Sequence, residues 1–144
     1  MTTFEQSNGI TAVKPARLSK KEYAKLLTDG NRQRDAQTLC DYLCKVLKIA
    51  PVKVVVTKRT QPHRTKNGTL KSKTYGFYRP GAKTITIYDT TAIKQQQVSI
   101  KCFADTLLHE FIHHYDFEFL HLADSLHTAG FYKRISDLKA KLTQ

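Results

Sequence analysis

The residues that could perform chemistry are concentrated in one short segment, His109-Glu110-Phe111-Ile112-His113. On an α-helix, side chains four positions apart differ by only about 40° around the axis, so His109 and His113 lie one turn apart on the same side. Two imidazoles in this arrangement can bind one Zn²⁺. In this motif the glutamate acts as a general base on the water that zinc activates for attack on a carbonyl, so Glu110 is the expected catalytic residue.

A catalytic zinc site needs a third protein ligand. His114 directly follows His113 and points about 100° away from it around the helix. His121 would lie about 12 Å beyond His113 along a continuing helix, which is too far. His127 follows the expected end of this helix, immediately before the cap of the last helix, where a chain reversal could return it to the pair. We therefore expect His127 to be the third ligand, with His121 as the next candidate.

Asp116 follows His113 by three residues and falls on the same side of the predicted helix. A carboxylate at this position could hold a ligand imidazole in its orientation. Solvation of the carboxylate at the surface is the alternative, and both interpretations fit the spacing.

The positive charge of the chain is unevenly distributed. The 144 residues include 24 Lys or Arg and 12 Asp or Glu, for a formal net charge of +12. Residues 1–83 hold 18 basic and 5 acidic side chains, whereas residues 84–144 hold 6 and 7. A region whose charges are nearly all positive favours a polyanionic partner. We therefore expect the protein to bind nucleic acid, namely DNA. The alternative is a basic surface that serves solubility alone.

The densest basic segment spans residues 58–73. Its cations are Lys58, Arg59, Arg64, Lys66, Lys71 and Lys73. Tyr75, Phe77 and Tyr78 follow directly, and cations beside aromatic rings suit single-stranded or frayed nucleic acid, whose bases can stack. Ordinary packing of a hairpin is the alternative role of the three rings.

Length and composition exclude several classes of protein. A chain of 144 residues with 40% hydrophobic content predicts one folded domain rather than a disordered tail. Three cysteines without a Cys-x-x-Cys pair exclude a disulfide scaffold and a four-cysteine zinc ribbon. No apolar run has the length of a signal peptide or a membrane span, so we expect a cytoplasmic, intracellular protein without a membrane partner. A chain of this length needs no oligomerisation to form a core, which favours a monomer.

Hydrophobic periodicity predicts the elements of the N-terminal half. Residues 1–17 lack periodicity and are expected to form a flexible arm, followed by the single domain over residues 18–144. A helix should begin at a Ser19/Glu22 capping box and end at Gly30, and a second helix should span about residues 32–48. Cys40 and Cys44 lie in or beside the apolar stripe of that second helix, where they are expected to be buried as small apolar residues.

The second half predicts a small sheet and two helices. Residues 52–58 form a β-branched strand, and residues 59–73 form a long loop or an extended ribbon. A hairpin follows, with a type II turn at Pro80-Gly81. The HExxH helix starts at about Val98, and a last helix over residues 129–142 is capped by Thr128. The order predicts an α+β fold with N-terminal helices, a small three-stranded sheet with a hairpin, the HExxH helix and a C-terminal helix.

The HExxH helix and the residues after it resemble the SprT-like zinc metalloprotease family, which includes the Spartan proteases. The resemblance covers about residues 36–142 and rests on Leu107-Leu108-His109-Glu110-Phe111-Ile112-His113, Asp116, His127-Thr128-Ala129-Gly130-Phe131 and Arg134-Ile135. In that family the histidine of a downstream His-Gly-x-x-Phe-like segment is the third zinc ligand. Here Thr128 stands in place of the usual glycine.

The resemblance implies a minimal zincin-like domain that hydrolyses peptide bonds, in Spartan-type members at proteins bound to DNA. Three cysteines are too few for the zinc ribbon of many relatives, so DNA would have to bind the domain's own basic region. Two other interpretations remain open. One is a nucleic-acid-binding protein with a structural or vestigial zinc site and no proteolysis, and the other is a small peptidase whose charge has no role in DNA binding.

Overall fold

A computed structural model describes all 144 residues of the chain. It contains five helices and five strands. The helices are α1 (Thr3–Gly9), α2 (Lys21–Leu27), α3 (Arg32–Leu47), α4 (Ile100–Glu118) and α5 (Ala129–Thr143), and the strands are β1 (Lys53–Thr60), β2 (His63–Lys66), β3 (Thr69–Lys73), β4 (Gly76–Arg79) and β5 (Thr84–Thr90). The predicted α+β layout is confirmed. None of the helices combines the length and the apolar composition that crossing a membrane requires.

The main sheet has three strands in the order β1-β5-β4, with β1 parallel and β4 antiparallel to β5. The basic segment forms a separate two-stranded hairpin of β2 and β3 between β1 and β4. Of the two forms predicted for residues 59–73, the extended ribbon is therefore the one observed. Its turn contains Gly68, whose φ of +76° lies in the left-handed region that glycine adopts without steric cost.

One face of the main sheet belongs to the hydrophobic core. Alternation along β1 and β5 directs Val54, Ile85 and Ile87 inward, where each is at most 2% exposed. They share the core with apolar residues of α3 and α4, including Cys40 and Cys44, which are buried as predicted. The core thus fixes the HExxH helix against the sheet.

The two edges of the main sheet differ. The side-chain amides of Gln33 and Gln37 on α3 form hydrogen bonds with the backbone at the edge of β1. Gln33 donates to Val54 O at 2.7 Å, and Gln37 donates to Val52 O at 2.9 Å. The same amides accept from the N–H groups of Val56 and Val54, both at 2.8 Å. β4 forms the opposite edge. A Cβ at Gly76 would come within 2.6 Å of Thr86 O and 3.1 Å of Thr106 on α4, so glycine allows β4 to lie close to α4.

The prediction of a flexible arm over residues 1–17 is wrong. Thr2 and Glu5 form a reciprocal capping box at the start of α1. Ser7 is fully buried and Val13 is 4% exposed, so the segment packs on the rest of the molecule. The capping box predicted at Ser19 is also wrong, because α2 begins at Lys21 and has no side-chain cap.

Two chain reversals use residues other than the expected glycines. In the reversal after α2, the residue in the left-handed region is Asp29 (φ 58°) rather than Gly30. In the connection between β4 and β5, it is Lys83 (φ 48°) rather than Gly81. Because a type II turn needs a positive φ at its second central residue, the predicted turn at Pro80-Gly81 is wrong. Arg79 pairs with Thr84, which leaves a four-residue connection.

Candidate metal centre

Three histidines converge beside the C-terminal half of α4. The possible ligand nitrogens of His109, His113 and His127 all lie within 4.8 Å of one another. His109 and His113 come from successive turns of α4, and His127 comes from the segment before α5. The Nε2 atoms of His113 and His127 are 3.1 Å apart. Three neutral imidazoles are a donor set that fits a borderline-soft divalent ion such as Zn²⁺, so the cluster could hold a metal ion.

Phe131 forms the floor of this cluster. Its fully buried ring has its centroid 5.1 Å from that of His109, 4.6 Å from His113 and 5.0 Å from His127. Phe131 belongs to the first turn of α5, so the packing of α5 on α4 sets the relative positions of the three imidazoles. This ring therefore explains how the segment after α4 returns His127 to the cluster.

Ser125 determines which nitrogen of His113 can bind metal. The Ser125 hydroxyl donates to Asp116 Oδ2 at 2.8 Å, so its oxygen is left to accept from Nδ1 of His113 at 2.7 Å. With the proton on Nδ1, the lone pair of Nε2 is free and directed toward His127. A hydrogen bond of this kind sets the tautomer and orientation of a metal ligand.

Asp116 and Arg134 form a fully buried ion pair beneath the cluster. Arg134 Nε donates to Oδ1 at 3.0 Å and Nη2 donates to Oδ2 at 2.8 Å. The other three N–H groups of the guanidinium donate to Ser7 O, Ile10 O and Ser7 Oγ. All five donors of Arg134 are thus satisfied, which is what a buried guanidinium requires. Of the two interpretations of Asp116, surface solvation is wrong, and the carboxylate reaches His113 only through Ser125.

The N-terminal helix supports the start of α5. Thr128 Oγ1 lies 2.9 Å from Ser7 Oγ and accepts the N–H of Phe131 at 3.0 Å, so Thr128 caps α5 as predicted. A Cβ at Gly130 would overlap the backbone oxygens of Ser7 and Asn8, so glycine is required for this close approach. α1 therefore fixes the residue next to His127.

Glu110 lies beside the cluster without belonging to it. Its side chain is 9% exposed, and its Oε2 is 4.0 Å from Nε2 of His109. Burial raises the pKa of Glu110 to about 7. Burial also lowers the pKa of His109 to about 4 and that of His113 to about 3, with smaller contributions from the neighbouring imidazoles. At neutral pH His109 and His113 are therefore neutral and able to act as ligands.

The other candidate ligands lie elsewhere. His121 is exposed, beyond the end of α4, in the left-handed conformation (φ 53°). His114 is fully buried on another side of α4, where its Nε2 donates to Ala50 O at 2.7 Å and its Nδ1 accepts from the Tyr78 hydroxyl at 2.7 Å. The bond to Tyr78 ties β4 to the HExxH helix, and the bond to Ala50 ties the segment before β1 to the same helix. Neither histidine takes part in the cluster.

Two clefts meet at the cluster. One, of about 640 Å³, extends past Tyr75 and Lys101, and the other, of about 450 Å³, extends past Phe117 and Ser125. Gly76, His109 and Glu110 line both clefts. The cluster is therefore open on two sides of Glu110, along the edge formed by β4.

The predicted basic residues do not approach the histidines as a group. Lys58 and Arg59 end β1, whereas Arg64, Lys66, Lys71 and Lys73 lie on the β2–β3 hairpin. All are exposed except Lys73, which is half-buried, lines the larger cleft and has its Nζ 4.9 Å from the ring centroid of Tyr75. Of the three aromatics, Tyr78 faces α4, where its ring stacks on Phe117 at 6.2 Å, and Phe77 faces the opposite side of the sheet with Tyr88.

Sequence reasoning missed Ser125, and it named Arg134 only as part of the family resemblance, without its role in the ion pair. Ser125 lies in an irregular segment 12 residues after His113, and no periodicity predicts its position. Arg134 carried a signal, because it falls three residues after Phe131 in the apolar stripe of α5 and an arginine there must pair with a buried acceptor.

Comparison of this chain with protein-family models, with curated proteins and with solved structures finds no match.

Proposed function

We propose that this protein is a zinc-dependent endopeptidase of SprT-like type that acts on proteins associated with DNA. The observation that carries the proposal is the position of Glu110, which lies outside the ligand cluster yet lines both clefts that meet there. An endopeptidase must bind its substrate chain on both sides of the scissile bond. The two clefts along β4 provide room for a chain that passes the site.

The edge of β4 suits an extended substrate. Tyr88 N–H donates to Tyr75 O at 3.0 Å, so these two residues form a hydrogen-bonded pair of the antiparallel ladder. By alternation, the backbone N–H and C=O groups of Gly76 and Tyr78 point to the free side of β4. A peptide added there as a further strand would lie along both clefts.

The chain's own residues divide the chemistry. His109, His113 and His127 would hold the ion, with Nε2 of His113 freed by the hydrogen bond from its Nδ1 to Ser125. A bound Zn²⁺ would supply Lewis acidity and a water of lowered pKa. The Glu110 carboxylate takes the proton of the attacking water and returns it to the leaving amine nitrogen.

The rival proposal is a nucleic-acid-binding protein whose zinc is structural. Structural zinc sites usually close with four protein ligands. This cluster has three histidines and opens onto two clefts, which favours a catalytic site. The basic hairpin and the region of 11 basic residues without a carboxylate between Asp41 and Asp89 support an association with DNA under either proposal.

The decisive experiment is a proteolysis assay on a DNA-binding protein, with and without DNA, using zinc-loaded wild type and Glu110→Gln. We expect wild type to cleave, DNA to stimulate cleavage, and Glu110→Gln to bind about one zinc per chain without cleaving. Cleavage at the same rate with and without DNA would favour a general peptidase. Normal zinc content without cleavage in wild type would contradict the enzymatic proposal and support a structural site.

A further inference from the structure

The outer face of the main sheet is not covered by a helix. The helices that pack on the sheet are α3 and α4, and both contact the face that carries Val54, Ile85 and Ile87. The residues that alternate with these point to the other side and do not belong to the hydrophobic core. They surround a shallow depression of about 370 Å³.

The outer face combines cations, hydroxyl groups and aromatic rings. Its central residues are Thr57, Arg59, Phe77, Arg79, Thr86 and Tyr88. Asp89, the carboxylate on β5, points inward, where its Oδ1 accepts from Arg32 at 2.7 Å. The face therefore presents two guanidinium groups, hydroxyls and aromatic rings without a carboxylate, which is complementary to a polyanion.

The two aromatic rings lie side by side and are accessible. Phe77 and Tyr88 are half-buried, with their centroids 6.1 Å apart and their planes inclined at 46°. The guanidinium of Arg79 lies over the Phe77 ring at 5.2 Å from its centroid. Rings on an open sheet beside cations form a platform on which unpaired bases stack while the cations neutralise phosphates.

We propose that the outer face of the main sheet binds single-stranded DNA, with bases stacked on Phe77 and Tyr88 and phosphates held by Arg59 and Arg79. This inference rests on the DNA association in the proposed function and extends it to a particular surface and strand state. A duplex hides the faces of its bases, so the rings select single strands. We commit to DNA because the proposed function associates the protein with DNA, and the uridine strand in the test below examines the RNA alternative.

The location of this face would bring bound DNA close to the two clefts. Phe77 and Arg79 project from β4 to the outer face, whereas the free edge of the same strand runs beside Glu110. The β2–β3 hairpin joins the sheet at the ends of β1 and β4, beside Arg59 and Tyr75. A strand of DNA on the outer face would therefore continue onto the cations of the hairpin and hold its bound proteins near the clefts.

The test is the fluorescence anisotropy of a labelled thymidine 12-mer, a duplex of the same length and a uridine 12-mer, titrated with the zinc-loaded protein. The double variant Phe77→Leu/Tyr88→Leu keeps the apolar surface and removes the rings. We expect it to bind the single strand about tenfold to a hundredfold more weakly, with duplex binding and the salt dependence unchanged, because stacking involves no ion release. The variant Phe77→Tyr/Tyr88→Phe keeps both rings and should bind like wild type.

Thr86→Glu provides a second test if the leucine variant does not fold. It places a carboxylate at the centre of the face and should weaken single-strand binding by at least tenfold. Three results would overturn the proposal. They are unchanged single-strand affinity in either folded variant, equal losses of affinity for single strand and duplex, and tighter binding of the uridine strand than of the thymidine strand. Zinc-dependent cleavage that survives in these variants would leave the proposed peptidase intact. Loss of single-strand affinity in the variants, together with a wild type that does not cleave, would support this face and contradict the peptidase.

Discussion

The hydroxyl of Ser125 lies 2.7 Å from Nδ1 of His113 and donates to Asp116, so one side chain joins a candidate metal ligand to a buried ion pair. Ser125→Ala removes the acceptor that fixes the Nδ1–H tautomer of His113. We expect zinc affinity to fall by about 10- to 100-fold, the usual effect of losing a hydrogen-bond partner of a ligand. Competition with a chromophoric chelator measures the affinity.

Ser136→Ala is the matched control, because Ser136 is an exposed serine of α5 whose hydroxyl bonds only to Tyr132 O. It should leave zinc affinity unchanged. Equal affinities in wild type and Ser125→Ala would show that the packing on Phe131 alone orients His113.

The ion pair between Asp116 and Arg134 is expected to stabilise the fold because both groups are fully buried. Asp116→Ala leaves a buried guanidinium without its partner and should reduce the free energy of unfolding by about 3–5 kcal/mol. Asp105→Ala breaks the Lys139 pair, whose side chains are 39% and 47% exposed, and should cost about 0–1 kcal/mol. Urea unfolding of the zinc-free proteins measures both, and similar values would contradict this account.

Much of the fold was predictable because the long helices carry their own signals. The spacing of apolar residues placed α3, α4 and α5 within a few residues, and Thr128 marked the start of α5. α1 has only seven residues and gains its stability from tertiary contacts, namely the guanidinium of Arg134 and the close approach at Gly130. Its capping box at Thr2 and Glu5 was visible in the sequence, but a box without a following apolar stripe predicts little.

The candidate site was predictable to the extent that it lies on one helix. His109, Glu110 and His113 follow from helical spacing, and His127 followed from the need for a chain reversal. Ser125 could not be found in this way, because it reaches His113 from an irregular segment. The outer face of the sheet was also missed, since Phe77 and Tyr88 come from different strands and become neighbours only through their register.

The third ligand can be identified by comparing His127→Asn with His121→Asn. Asparagine is the appropriate substitution at His121, because that residue is left-handed and most other side chains would strain it. We expect His127→Asn to lose more zinc affinity than the Ser125→Ala variant, and His121→Asn to retain wild-type affinity. Metal content after dialysis against a weak chelator measures the difference, and loss of zinc in His121→Asn alone would mean that α4 ends earlier.

The pH dependence of the zinc-free protein should show opposing contributions at the site. The pKa of Glu110 is about 7 in the folded protein and about 4.5 without burial, so its stabilising contribution is complete below pH 4.5 and is lost as the pH rises to 7. The depressed pKa values of His109 and His113 act in reverse, and their contribution is present above about pH 6.5 and lost as the pH falls through about 4 and then 3.

Glu110→Gln removes the pH-dependent contribution of Glu110 and keeps that of His109 and His113. The variant should exceed wild type in the free energy of unfolding at pH 8 by up to about 3 kcal/mol, with the difference vanishing below pH 4.5. Urea titrations in the presence of a chelator across pH 4–8 provide the measurement. A difference that does not change with pH would show that Glu110 is solvated in the zinc-free protein.

The hairpin should contribute phosphate contacts without stacking. Arg64, Lys66 and Lys71 are exposed on β2 and β3, and their replacement by Gln removes three positive charges without touching the metal cluster. The slope of log affinity against log salt for single-stranded DNA should become shallower by up to about 2, because each phosphate contact contributes about 0.7. Replacing the exposed Lys20, Lys21 and Lys25 by Gln changes the net charge equally at another surface and should leave the slope almost unchanged. Equal effects of the two triple variants would mean that the overall charge, rather than the hairpin, attracts DNA.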